Sequence, residues 1–205
     1  MNEDRTPPKR VRLTGLQEVQ LPALVALDQA CAAMYYEIGF DGAEVPTRST
    51  AEIVNLTQQH SVKVAEADNQ VAGYLAWRDE APGVAYIEEL GVHPDFHRFG
   101  IASQLMEGLR DEARGFKIED IVVKCWVRAS WAAGFYKANG FKPIDESAPP
   151  KVRRWRDERA AVHPLTRPNE VAMWAPVGAA PAQVEEPDDD IDDMDPATTD
   201  GSADE

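Results

Sequence analysis

The segment His97-Arg98-Phe99-Gly100-Ile101-Ala102-Ser103 sets a cation and a glycine directly ahead of an apolar helical pattern running through Ile101, Leu105, Met106, Leu109 and Ala113. A helix start offers backbone N–H groups without intrahelical partners and the positive end of the helix dipole, which together suit an anion such as a pyrophosphate. Glycine at 100 and alanine at 102 leave those amides open to close approach, and Arg98 supplies a nearby charge. Ordinary turn chemistry explains a lone glycine at a helix start as well, so the segment by itself leaves both readings open. It is not a Walker loop, because no Gly-Lys-Ser/Thr follows, and a single glycine does not make a dinucleotide fingerprint. Four scattered histidines and two distant cysteines lack metal-ligand spacing, so no metal is expected.

The elements that must position this segment follow from periodicity. Val84 to Val92 (VAYIEELGV) reads as the strand that enters it, after a Pro82-Gly83 turn. Asp120 to Val127 (DIVVKCWV) is a nearly continuous apolar run, as in a strand covered on both faces. A short helix from Ser130 to Ala138 follows, with Ser130 as its expected cap and Asn139-Gly140 as its end. Upstream, Val11 to Leu16 reads as a strand, and Leu21 to Ile38 as a helix with Leu24, Leu27, Asp28, Cys31, Met34 and Tyr35 on one stripe. Ser49-Thr50 with Glu52 opens a second helix. Ser61 to Ala67 and Val71 to Trp77 flank Asp68-Asn69 as a hairpin. Phe141 to Ile144 and Val171 to Val177 read as further strands, giving an α/β domain. Residues 145–168 carry the basic run Lys151 to Arg156 and read as an ion-paired loop rather than a nucleic-acid patch.

The net charge of −15 is mostly local, since eleven acidic residues and no Lys or Arg lie between Ala182 and Glu205. The expected organisation is a flexible N-terminus (1–7), one domain (8–180) and a disordered acidic tail (181–205). No stretch approaches ~20 consecutive apolar residues, and no apolar segment follows the charged N-terminus, so a cytoplasmic protein without a membrane span is expected. Cys31 and Cys125 sit among apolar neighbours and read as buried, reduced thiols.

Joined to Glu89-Leu90-Gly91-Val92-His93-Pro94 before it and Gly134-Phe135-Tyr136-Lys137-Ala138-Asn139-Gly140-Phe141 after it, the helix-start segment resembles the GNAT superfamily of acetyl-CoA-dependent N-acetyltransferases. His97 to Ala102 matches the family's Gln/Arg-x-x-Gly-x-Gly/Ala motif at Gly100 and Ala102, with His97 where Gln or Arg is usual. The later stretch is similar to the Phe-Tyr-x-x-x-Gly-Phe signature. The resemblance implies a mixed, mostly antiparallel sheet flanked by helices, with a splayed strand pair forming an acyl-CoA cleft. It implies transfer of an acetyl group from acetyl-CoA to a primary amine of a small molecule or protein, by direct attack in a ternary complex.

By the same resemblance, Leu90, Gly91 and Val92 pair with the pantetheine arm. His97, Arg98, Phe99, Gly100, Ile101, Ala102 and Ser103 surround the pyrophosphate, and Tyr136 reprotonates the leaving thiolate. Tyr136 also fits a plain core aromatic. A carboxylate acting through water can take the amine proton, and strand alternation admits only one of Glu88 and Glu89 to the cleft, here taken as Glu89. Tyr35, Tyr36, Tyr74 and Trp77 are expected mostly in the core, and Trp131 either packs on the cofactor arm or fills a surface groove. Val127-Arg128-Ala129-Ser130 is similar to the ribosomal-protein type of N-terminal acetyltransferase, an alternative beside a non-catalytic acyl-CoA-binding module. The expected partner is an amine, with no nucleic acid or membrane, for a monomer or homodimer.

Overall fold

The computed structural model describes residues 6–162 and 170–179. The expected acidic tail, the first five residues of the expected flexible N-terminus and the end of the 145–168 stretch lie outside the described residues.

In chain order the elements are β1 (Val11–Gly15), α1 (Leu21–Glu37), α2 (Thr50–Gln59), β2 (Ser61–Ala67), β3 (Gln70–Ala81), β4 (Val84–Val92) and α3 (Ile101–Gly115). β5 (Asp120–Trp126), α4 (Ser130–Ala138), β6 (Lys142–Pro143), α5 (Pro150–Val162) and β7 (Glu170–Pro176) follow. The strands form one sheet in the order β1-β2-β3-β4-β5-β7-β6, antiparallel at every pairing except β4 with β5. This is the mixed, mostly antiparallel sheet that the sequence led us to expect.

Local chemistry explains most boundaries. Asp68 and Asn69 both have positive φ, +48° and +69°, the left-handed pair that a two-residue hairpin turn needs. Ser49 and Glu52 close a reciprocal capping box at the start of α2. At α4 the expectation fails: Ala129 is the N-cap, and Ser130 is the first helical residue with no capping bond. The strand expected over Phe141 to Ile144 shrinks to two residues: it is the edge strand, paired on one side only, with β7, and Pro143 has no N–H to donate.

Alternation sends β3 and β4 side chains to two faces. Leu75 and Ile87 meet Ile101, Leu105, Met106 and Leu109 of α3, whose buried apolar stripe supplies about 1.5–3 kcal/mol per large side chain. On the other face Tyr74 and Ala76 meet Leu24 and Leu27 of α1 and Ile53 of α2. Farther along that face Tyr86 and Val122 pack under Val152 and Trp155 of α5. The basic run is therefore a helix and not a loop, though its charges are paired as expected: Lys151 with Glu119 and Asp120, Arg153 with Glu146, and Arg156 with Asp157.

Helix α1 packs closely on β4 at Gly91. A Cβ placed there would lie 3.0 Å from Leu27 Cδ2 and 3.3 Å from Cys31 Sγ. Gly91→Val should therefore overpack this contact and cost about 1–3 kcal/mol, read as a lowered denaturant midpoint with unchanged slope.

Candidate active site

The parallel pairing of β4 with β5 runs only from Val84↔Asp120 to Ile87↔Val123. Beyond it the two strands part, and the gap opens into a cleft of about 1460 Å³ lined by both strands, α1, α2, α4 and the start of α3. The splayed pair expected from the sequence is present.

On the β4 side the pairing with β3 shifts register: Ala76 pairs with Glu89, but Trp77 pairs with Ile87. Glu88 is the extra residue of a β-bulge, where strict alternation breaks down. Both Glu88 and Glu89 consequently line the cleft, which corrects the expectation that only one could enter.

The two carboxylates have different partners. Glu89 Oε2 accepts from Arg48 Nη1 at 2.7 Å, and the same nitrogen donates to Asp28 Oδ1 at 2.7 Å. Asp28, nearly buried on α1, also accepts the Arg48 backbone N–H at 2.8 Å, which fixes the loop before α2 against the site. Burial pushes the Glu89 carboxyl above the usual carboxylate range; Arg48 opposes this, while the charges of Asp28 and Glu88 add to it. Glu88 instead accepts from Arg78 Nη1 at 3.0 Å. Arg78 Nη1 also lies 2.8 Å from His60 Nε2, and His60 Nδ1 lies 2.9 Å from the Leu56 carbonyl. The carbonyl requires the proton on Nδ1, so Nε2 is the acceptor from Arg78.

Arg48 and Asp28 were not foreseen as site residues. The available signal was Asp28 itself, a charge on the apolar stripe of α1, which has to find a buried partner. Cys31 is another correction, since it is only partly buried and faces the cleft. Burial and the charges of Glu89 and Asp28 raise its thiol to about 12, so it stays protonated and is a poor nucleophile.

Among the backbone groups expected to face a ligand, the strand geometry separates three residues. The His93 N–H donates to Ala72 O on β3, so by alternation the Gly91 groups also face β3, whereas those of Leu90 and Val92 turn toward the gap. Gly91 thus serves the packing of α1 and is not a backbone partner for a ligand in the gap. The Val92 carbonyl is already taken: His97 Nε2 donates to it at 2.8 Å, and Cys31 Sγ lies 3.5 Å away. His97, the departure from the family motif, ties the 93–100 loop to the end of β4.

Gly100 is the N-cap of α3 at φ +74°, and a Cβ there would meet nothing within 4 Å. Its role is conformational, with open space in front. Gln104 N–H is the first to bond back, to Gly100 O, so the N–H groups of Ile101, Ala102 and Ser103 are left for an outside acceptor. Arg98, also at positive φ, is exposed and pairs with no carboxylate among the described residues. Phe99 does not line the cleft, while Arg98 and residues 100–103 do. This open, positively polarised end fits an anionic phosphate group.

Tyr136 lines the cleft from α4, its ring packed against Phe135 and Phe141. Its hydroxyl has no hydrogen-bond partner among the described residues. Burial, with Cys125 and Glu89 nearby, holds it well above the usual phenol range, so it is a neutral donor at physiological pH. Of the other aromatics, Tyr35 lines the cleft, Tyr36 donates to the Val45 carbonyl, and Tyr74 and Trp77 lie in the core, the latter donating to Glu112.

A mixed sheet parted between two parallel strands, with a helix N-terminus facing the gap, is the architecture of the GNAT acetyltransferases. Residues 58–143 match the family model described as "Acetyltransferase (GNAT) domain". Among solved structures, the ribosomal-protein-S18-alanine N-acetyltransferase of Escherichia coli superposes with a TM-score of 0.60 at 15% identity, over 85% of this chain and 99% of that one. The PaiA N-acetyltransferase of Thermoplasma acidophilum, solved with coenzyme A, gives 0.63 at 16% identity, over 82% and 99%. No curated protein matches the chain by sequence. Among the described residues no helix is long and apolar enough to cross a membrane, and no cluster of His, Cys, Asp and Glu could hold a metal.

Proposed function

We propose that this protein transfers an acetyl group from acetyl-CoA to a primary amine, by direct attack of the amine on the thioester within a ternary complex. The observation that carries this reading is the gap beyond Ile87↔Val123, with the free amides of α3 at one end and Glu89 and Tyr136 along it. The amides of Ile101, Ala102 and Ser103, with Arg98 beside them, would hold the pyrophosphate. The Leu90 groups and the Val92 N–H would pair with the pantetheine amides as an added strand does.

An ammonium cannot attack, so the acceptor must first lose a proton, and Glu89 would receive it through water. The amine nitrogen then bonds to the thioester carbon as the C–S bond breaks, and the acylated nitrogen gives up its second proton to water. Tyr136 would give its proton to the departing thiolate and recover one from solvent. A free thiol has a pKa of ~8.5, so this departure needs only modest help. Tyr136→Phe should accordingly lower kcat about 10²-fold, at the low end for loss of a general acid, with the KM for acetyl-CoA nearly unchanged.

The test is thiol release from acetyl-CoA against a panel of amines and peptides. Peptide N-termini belong in it because one similar structure is titled as a ribosomal-protein alanine N-acetyltransferase. Release that requires an amine, with matching acetylated product, supports the reading. Binding of coenzyme A without release for any amine favours a binding module instead.

A further inference from the structure

Where β4 and β5 part, no backbone pairing holds the two sides of the sheet together, yet side chains cross the opening. Tyr35, near the end of α1, meets Trp131 of α4 edge-on at a centroid distance of 5.4 Å. Phe40, just past the helix, packs on Tyr35 at 5.6 Å and on Trp126, the last residue of β5, at 5.1 Å. Arg128, in the β5–α4 turn, stacks over the Phe40 ring at 4.0 Å and donates from Nη2 to the Ile38 carbonyl at 3.0 Å. Two aromatic contacts, a cation–π contact and a hydrogen bond therefore bind the end of α1 to the end of β5 and the start of α4, with Tyr35 and Phe40 packed on each other on the α1 side. Edge-on aromatic pairs stabilise beyond the area they bury, so these contacts hold a fixed strap.

The strap borders the cleft itself. Tyr35, Trp126 and Trp131 all line the cleft. Tyr35 lies one helical turn beyond Cys31, whose Sγ is 3.5 Å from the Val92 carbonyl at the end of β4, and its ring meets Trp131 on the β5 side. Tyr35 thus stands at the β4–β5 gap, in the cleft that Glu89 and Tyr136 also line. Trp131 retains 39% exposure, so it forms the outer edge of this cover.

We infer that the Tyr35–Trp131 pair, braced by Phe40 and Arg128, roofs the acyl position and selects acceptors by width, admitting slender unbranched amines and excluding bulk water from the thioester. The inference rests on the acetyl-transfer reading and adds the determinant of acceptor shape. The competing reaction is hydrolysis, in which water attacks the thioester carbon and the C–S bond breaks, giving acetate and the free thiol. A water-excluding roof suppresses it, whereas an acceptor held beneath the roof still reacts.

The experiment compares wild type with Trp131→Ala and Trp131→Phe in three measurements: coenzyme A affinity by calorimetry, thiol release from acetyl-CoA without amine, and transfer rates for linear amines against amines branched beside the nitrogen. Trp131→Ala should raise amine-independent release about tenfold and raise the branched-to-linear rate ratio by a similar factor, while coenzyme A affinity changes less than about threefold. Trp131→Phe, which keeps a ring at the edge, should stay near wild type. If wild type transfers acetyl groups and Trp131→Ala leaves both release and ratio unchanged, the roof is wrong while the function stands. If wild type shows no amine-dependent release, the functional reading fails and the roof falls with it.

Discussion

Glu89→Gln is expected to lower kcat/KM for the acceptor by about 10²- to 10³-fold, because it removes the group assigned to take the amine proton. The substitution is nearly isosteric. Its amide oxygen can still accept from Arg48 Nη1, so the Asp28–Arg48 contact that anchors the loop before α2 should survive. Loss of activity with an unchanged melting transition is therefore the expected pair of results. The pH profile gives an independent check. Burial raises the Glu89 carboxyl above its usual range, so activity should fall with acid at a pH above that of an ordinary carboxylate, and Glu89→Gln should abolish that acid limb. Arg48→Met removes the cation that holds this carboxyl down, and should move the limb further up. The stability consequence has the opposite sense to that of most paired carboxylates. The folded state binds this proton more tightly than the unfolded chain, so the group's contribution is fully present below the unfolded value and is lost as pH rises through the folded one.

The second large effect concerns Gly100. A tryptophan there would stand in the open space before the first-turn amides of α3, and coenzyme A affinity should fall by about 10²-fold, the equivalent of one or two lost charge-assisted hydrogen bonds. Because Gly100 has φ +74°, any side chain with a Cβ also strains the turn, by about 1–2 kcal/mol. Gly100→Asn separates the two effects. Asparagine tolerates the left-handed region, so the fold should persist while its side chain still obstructs the amides and affinity drops in calorimetry. Retained affinity in a folded Gly100→Trp protein would mean that the phosphate is bound elsewhere.

The residues that were legible in the sequence are those whose signals are local. Gly100 ahead of an apolar stripe, the Asp68-Asn69 turn and the Ser49/Glu52 capping box each act over a few residues, and each is found where it was expected. Helix α5 was not legible because, among its residues of described burial, only Val152 and Trp155 are buried. The charged residues between and around them, which make surface ion pairs, hide any periodicity. The Glu88 bulge was missed because a bulge is a register event between two strands, and nothing in VAYIEELGV marks the extra residue. Arg48 was missed because its partners, Asp28 and Glu89, lie 20 and 41 residues away and meet it only after α1 packs on β4. His97 shows the same limit. It was placed beside the phosphate by its position in a motif from which it departs, and the partner its ring finds is the carbonyl at the end of β4. The backbone part of the cradle could be read from glycine and helix chemistry, but the side-chain network around it depends on tertiary contacts.

The most direct test of the central claim is the structure of the protein crystallised with coenzyme A. The pyrophosphate should lie within hydrogen-bond distance of the N–H groups of Ile101, Ala102 and Ser103. The pantetheine arm should run through the β4–β5 gap against Leu90 and Val92, ending with its sulfur between Glu89 and Tyr136. Coenzyme A bound outside the gap, or with its sulfur remote from both side chains, would contradict the account.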